Sequence, residues 1–353
     1  MKKVGILTFH DEPNYGAFLQ TYALSEAVKA LGYDVEIIDL RMNGKYKYSL
    51  LMKLLSPLIW RLIFESARSK FLNRSKVTYR SSDDLFKNPP NCDVYMLGSD
   101  QVWNKDITQE LKFSYFFDFV PEGKIICSYA SSFGTNEWFF NSDETIKIYG
   151  LLNRFSNVAV RESTAVSICK TYCDVDAVEV LDPTLLISNY SSLLSSEPKK
   201  TNKMVCFKFN QGASFYNFLE SFKLKVDYKI SILAKTMPVK GFGNIPLPSI
   251  RRWLMSIAEA ELVLTDSYHA LIFSIIFKKQ FIVLPANTKN FNRLSELLDE
   301  LDLSDRIFYS YEEILSDDRW KNKINFSDVH KLLSVKVNRS KDILRKILQG
   351  TSV

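Results

Sequence analysis

Strand-sized apolar runs alternate with helical patterns along this chain, and that alternation is what most limits its fold. Val4 to Phe9 is a short apolar run of the kind expected in a strand covered on both faces. Leu19, Tyr22, Ala23, Ala27 and Leu31 then follow helical spacing, and Gly32 is placed to end the helix. Val35 to Leu40 is a second strand. A strand–helix–strand unit of roughly 35 residues is the building block of a doubly wound parallel sheet.

Further strand-like runs occur at Cys92–Leu97, Lys124–Ala130, Val158–Arg161 and Ala177–Leu181. Ser188 to Lys203 is polar, has few apolar anchors and reads as a linker. The alternation then restarts. Strands are expected at Met204–Phe209, Tyr228–Ala234, Leu262–Thr265 and Phe281–Pro285, and helices at Ser214–Lys223, Ile250–Ala260, Ala270–Phe277 and Asn292–Leu301. A polar helix from near Asp328 to Gln349 closes the chain. The expectation is an α/β protein with two Rossmann-like domains facing a cleft. One covers residues 1–190 and the other, with the last helix, covers 204–353.

The composition, 46% apolar and 24% charged, is that of a soluble globular chain. Five cysteines, mostly inside apolar runs, argue against a disulfide framework and for a reducing compartment. With three histidines and no second cysteine pair, no metal site is expected. No secretory signal is visible, so a cytoplasmic location is expected.

The net charge of +6 is unevenly spread. Residues 45–80 hold nine basic side chains (Lys45, Lys47, Lys53, Arg61, Arg68, Lys70, Arg74, Lys76 and Arg80) against Glu65 alone, so 9 − 1 = +8 and the rest of the chain carries 6 − 8 = −2. Such a local excess is not a nucleic-acid footprint, and no nucleic-acid partner is expected. Within it, residues 50–64 are strongly apolar but interrupted by Lys53, Pro57 and Arg61, and too short for the roughly 20 residues of a membrane span. They read as a helical hairpin within a basic helical insertion of the first domain, about residues 45–80. Basic residues beside apolar ones suit an anionic membrane surface, at about 1 kcal/mol per well-placed Lys or Arg. The alternative is an internal insertion with a solvated charged face.

In doubly wound sheets ligands bind beyond the C-terminal ends of strands, so the residues just after each strand are the informative ones. After Glu261–Leu264 comes Thr265-Asp-Ser-Tyr-His269, then an apolar helix. Asp266 or Ser267 caps that helix, which puts His269 in a first turn where free amides and the helix dipole attract anions. The plain alternative is a capped helix with a structural histidine. Arg161 ends a strand and suits bidentate binding of carboxylate or phosphate, unless it simply pairs with Glu162. Ser99, Asp100, Gln101, Trp103 and Asn104 follow another strand. They resemble a sugar site, with polar groups for hydroxyls and an indole for a ring face, unless Trp103 lies in the core. Asn14, Tyr15 and Gly16 precede the first helix, where amides can approach a ligand. The full dinucleotide fingerprint is missing there, so no nicotinamide or flavin cofactor is implied.

Six segments, NYGAFLQTYAL, LGSDQVWN, SYASSFG, VAVRES, LDPTLL and TDSYHALIFSIIF, occur in this order over about residues 4–285. As an ordered set they resemble the polysaccharide pyruvyl transferase family. The resemblance implies a GT-B-like fold and transfer of the enolpyruvyl group of phosphoenolpyruvate to a sugar, often as a ketal across two hydroxyls of a surface polysaccharide. It implies no cofactor. By position His269 is similar to the family's functional histidine and Arg161 to its donor-binding arginine. Some members carry a basic residue two positions before the histidine, where this chain has Ser267. Lys208 and Lys235, at strand ends of the second domain, are the expected substitutes for that charge. The acceptor is expected to be a sugar, lipid-linked if the basic segment meets a membrane. The alternative of a nucleotide-sugar glycosyltransferase shares the same architecture, and a non-catalytic role in a membrane-bound polysaccharide assembly complex is a third reading.

Overall fold

The computed structural model describes residues 1–42, 56–209, 211–234, 239–285 and 292–353. Lys235 and residues 45–55 of the basic stretch lie outside the described residues. The chain forms two α/β units, each built on one parallel sheet.

The sheet of the first unit contains β1 (Lys3–Leu7), β2 (Asp34–Leu40), β3 (Arg74–Tyr79), β4 (Val94–Leu97), β5 (Ile125–Ser131), β6 (Asn157–Val160) and β7 (Ala177–Glu179). Their order is β3-β2-β1-β4-β5-β6-β7, so the winding reverses between β1 and β4, the position where such sheets bind ligands. The helices are α1 (Tyr15–Ala30), α2 (Ser56–Phe71), α3 (Ser82–Lys87), α4 (Lys105–Thr108), α5 (Ser142–Leu152) and α6 (Ser163–Cys173). Helix α1 starts where the Asn14 side chain accepts the Gly16 and Ala17 amides. It is buried on every side from Tyr15 to Ser25, which explains its lack of a polar face. Each large apolar side chain in it, such as Phe18 or Leu19, contributes about 1.5–3 kcal/mol by burial.

The second unit's sheet contains β8 (Lys203–Phe207), β9 (Lys229–Ala234), β10 (Gly243–Pro246), β11 (Leu262–Thr265) and β12 (Gln280–Val283), in the order β10-β9-β8-β11-β12. The winding reverses between β8 and β11. The helices are α7 (Ala213–Lys223), α8 (Ile250–Glu259), α9 (Tyr268–Ile276), α10 (Asn292–Glu300), α11 (Tyr311–Ser316) and α12 (Phe326–Gln349).

Three features differ from the sequence expectation. Residues 74–79, read as part of a helical insertion, form the edge strand β3, and α2 runs unbroken from Ser56 with Pro57 in its first turn, where the missing amide costs nothing. Strand β10 was not expected. The two strands share a cause, since each is an edge strand carrying too few apolar residues to show a period of two. Third, the last helix does not stay with its neighbours in sequence. From Val335 onward α12 belongs to the first unit, while the start of α2, through Phe64, groups with the second. Leu344, Ile347 and Leu348 are buried, Ser340 Oγ accepts the Leu181 amide, and Asn157 donates to the Thr351 carbonyl. Before its return at Val335, the first unit ends at Ile187, three residues before the expected end of the first domain at 190.

Candidate active site

The loops after β1, β4, β5 and β6 are laced together at the C-terminal edge of the first sheet. Gln20 of α1 donates to Thr8 Oγ1 at 2.9 Å, and its carbonyl accepts Ser99 Oγ at 2.6 Å. Thr8 Oγ1 in turn donates to the Ser99 carbonyl. Gly98 has φ +117 and the peptide that follows it is cis, and a Cβ at Gly98 would run into the Tyr129 carbonyl. Asp100 then bridges to Ser131, the Ser132 amide donates to the Asp100 carbonyl, and the Trp103 amide donates to the Ser132 carbonyl. Gly134 sits at φ +71 with an ideal Cβ only 2.7 Å from Gln101 Cδ, so a glycine there is what lets the Gln101 and Asn104 side chains lie over the loop.

Arg161 is the centre of this edge. Its side chain is 1% exposed. Nη1 stands 3.1 Å from Asp182 Oδ2, Nη2 stands 3.2 Å from Asp100 Oδ1, and Nε stands 3.9 Å from Glu162 Oε2. Asp182 is completely buried and also accepts the Thr184 amide and hydroxyl. Ser132 Oγ donates to Glu162 and accepts the Gly134 amide. One guanidinium therefore serves three carboxylates, 1 − 3 = −2. A group so surrounded disfavours a further anion and suits hydroxyl donors.

Of the acceptor residues named from sequence, Asp100, Gln101 and Asn104 gather here, and Asn104 and Asn14 also cap α4 and α1. Ser99, Tyr15 and Gly16 are buried, Ser99 within the Gln20 network. The expected Trp103 platform needs correction. The indole is 1% exposed, stacks 5.6 Å from Phe116, packs on Phe133 and donates to the Tyr115 carbonyl, so neither ring face is open. Glu162, Ser132 and Asp182 lie in strand-end stretches that the sequence marks as informative (131–134, 161–162 and 182–184), but sequence assigns none of them a role in the site.

A second network lies beside β2. His10 Nε2 is 2.8 Å from Asp39, Arg41 clasps the same carboxylate with two nitrogens, and Thr78 of β3 donates to it. Burial pushes the Asp39 carboxyl up, but those hydrogen bonds outweigh it and hold it well below the usual carboxylate range. Arg68 of α2 donates to the His10 and Asp11 carbonyls and ties the helix to this corner.

At the C-terminal edge of the second sheet, Thr265 Oγ1 donates to the Phe207 carbonyl and accepts the Ser267 amide. Ser267 is the N-cap of α9 and accepts the Ala270 amide, as its position in sequence suggested. His269 is the second residue of that helix, partly buried, with its ring edge-on to Tyr268 at 5.5 Å. Lys208 follows β8. Its ammonium is 3% exposed, lies 3.2 Å from Asp266 and donates to the Leu284 carbonyl. Burial lowers its pKa and Asp266 opposes that shift. Asp266 also accepts the Phe209 amide, which fixes the backbone while the Phe209 ring stays 62% exposed. Among the described residues no group of His, Cys, Asp and Glu side chains is arranged to hold a metal ion, and no helix is long and apolar enough to cross a membrane.

Solved structures with this architecture define the class. UGT89C1 of Arabidopsis thaliana, complexed with UDP-L-rhamnose, matches with a TM-score of 0.56 at 11% identity, over 99% of each chain. The spinosyn forosaminyltransferase SpnP matches at 0.52 and 11% identity, over 99% of this chain and 98% of its own. The UDP-GlcNAc 2-epimerase of Methanocaldococcus jannaschii matches at 0.50 and 14% identity, over 99% of each chain. At these identities the likeness establishes a GT-B-like α/β fold and nothing about ligands. Among curated proteins, none matches this sequence. The polysaccharide pyruvyl transferase family, however, matches residues 14–287. The chain belongs to that family and is a transferase.

Proposed function

We propose that this protein transfers the enolpyruvyl group of phosphoenolpyruvate to a sugar of a lipid-linked polysaccharide precursor, closing a pyruvate ketal and releasing phosphate. The family match over residues 14–287 carries the reading, because it spans the strand-end loops of both sheets. His269, in the first turn of α9, is assigned with the Ser267 hydroxyl to the donor as general acid or phosphate partner. Lys208 serves this end indirectly, since it neutralises Asp266 and so removes a carboxylate's repulsion from beside that helix start. The resemblance gives Arg161 to the donor as well. Its three carboxylates argue instead that it organises the acceptor loops, where Asp100, Gln101 and Asn104 meet sugar hydroxyls.

The test is thermal unfolding with phosphoenolpyruvate, UDP-sugars and CMP-sugars. Phosphoenolpyruvate at 100 times its dissociation constant should add about 2.7 kcal/mol of stability, a readily measured rise in melting temperature. A shift with a nucleotide sugar and none with phosphoenolpyruvate would overturn the donor assignment in favour of a glycosyltransferase.

The lipid-linked acceptor rests on α2, which exposes Ile59 (47%) and Leu62 (60%) alongside exposed Arg61 and Lys70. The protein should float with vesicles containing about a third anionic lipid at low salt and be released at high salt, as surface electrostatics requires. Sedimentation free of such vesicles at low salt would refute a membrane-facing α2.

A further inference from the structure

We propose that Glu162 takes the proton from the attacking hydroxyl of the acceptor, an inference that rests on the pyruvyl-transfer reading above. Glu162 is the N-cap residue of α6, yet its carboxylate makes no capping bond to that helix. It turns instead toward the β5 loop, where Ser132 Oγ donates to Oε1. Ser132 is itself buried and oriented by the Gly134 amide at 2.9 Å, so the carboxylate is aimed by a fixed partner. The other oxygen, Oε2, is buried and has no hydrogen-bond partner among the described residues. Arg161 Nε, at 3.9 Å, is near enough to attract it and too far to donate a hydrogen bond.

A buried acceptor left without a donor costs about 1–3 kcal/mol. The fold carries that cost where open parallel sheets bind ligands, beyond the C-terminal ends of β5 and β6. A ligand hydroxyl would supply the missing donor. The surroundings select a hydroxyl over an anion, because Asp100 and Asp182 share the same guanidinium with Glu162. Asp100 also belongs to the loop that carries Gln101 and Asn104, which places that loop beside the same guanidinium as Glu162.

The step balances as follows. The acceptor O–H bond breaks and its proton passes to Glu162 Oε2. The oxygen's electron pair forms the C–O bond to C2 of the enolpyruvyl group, whose methylene carbon is protonated by the general acid. Phosphate then leaves with the electron pair of its C–O bond, the second hydroxyl oxygen forms its C–O bond to C2 and its proton leaves with phosphate, while Glu162 returns its proton through solvent to the general acid.

The decisive variant is Glu162→Gln, which keeps the shape and an oxygen for Ser132 but removes the basicity. The assay follows phosphate release from phosphoenolpyruvate with p-nitrophenyl hexopyranosides of gluco, galacto and manno configuration as acceptors. The expected result is a fall in kcat of about 10²–10⁴-fold, little change in acceptor KM, and an unchanged melting shift with phosphoenolpyruvate. A folded Glu162→Gln enzyme turning over at the wild-type rate overturns the proposal. Should the Gln variant fail to melt cooperatively, Glu162→Asp replaces it. Turnover by a folded Asp variant supports the proposal, and its complete absence overturns it. Failure of the function reading looks different, since the wild type itself would then show neither a phosphoenolpyruvate melting shift nor phosphate release, and this inference would fall with it.

Discussion

Arg161→Ala should lower the free energy of unfolding by about 3–5 kcal/mol, the range for removing one partner of a buried ion pair. The effect is expected to be large because one cation serves three acids. Asp182 has no exposure, the Glu162 side chain has 6% and the Asp100 side chain has 20%. Asp182 keeps its bonds from Thr184 in the variant, but its charge faces two other carboxylates with the cation gone. Arg161→Lys should cost less but still measurably, because a single ammonium cannot bridge Asp182 and Asp100 as the guanidinium fork does. Urea denaturation of wild type, both variants and the double variant Arg161→Ala/Asp182→Asn gives the measurement. Partial recovery in the double variant would identify the stranded Asp182 charge as the source of the loss. An Arg161→Ala protein within about 1 kcal/mol of wild type would mean that water reaches these carboxylates freely and that the charge argument is mistaken. The same variant separates two roles for Arg161. If it organises acceptor loops, the folded fraction still binds phosphoenolpyruvate. If it contacts the donor, the folded fraction has lost that binding.

What the sequence disclosed about the site follows from the range of each interaction. The strands β1, β2, β8 and β11 are buried on both faces, so their apolar runs were legible, and so was the helix start at Ser267 because a cap is a local device. The edge strands β3 and β10 left no periodic trace. Trp103 shows the limit of composition, since an aromatic beside Asp, Gln and Asn reads equally well as a platform or as core, and only the stacking of Phe116 and Phe133 decides. The cluster on Arg161 was out of reach for another reason. It joins Asp100, Ser132, Glu162 and Asp182 from four different loops, and all but the Arg161–Glu162 pairing depend on the strand order. Likewise nothing local announces that the end of α12 packs with residues 157 and 181.

His269→Ala should cut kcat by about 10²–10⁴-fold and change stability by less than about 1 kcal/mol. The separation of the two effects is the useful part. Ser267 caps α9 through the Ala270 amide, a bond made without the imidazole, and alanine is a good helix former at that position. On the proposed mechanism the imidazole is the general acid, so its loss falls on the chemistry. The first turn of a helix disfavours a protonated histidine, so a general acid there needs a compensating negative charge. Asp266 is the nearest carboxylate in sequence, but it is committed to the Lys208 ammonium and the Phe209 amide. On the proposed mechanism the donor's phosphate adds negative charge beside the imidazole, which favours its protonated form when the donor is bound. Solution measurements can check this directly, because phosphate binding should raise the proton affinity of His269 in an NMR titration of the imidazole. Wild-type turnover by His269→Ala, or an imidazole titration indifferent to phosphate, would remove His269 from the chemistry and leave it a structural residue of a capped helix.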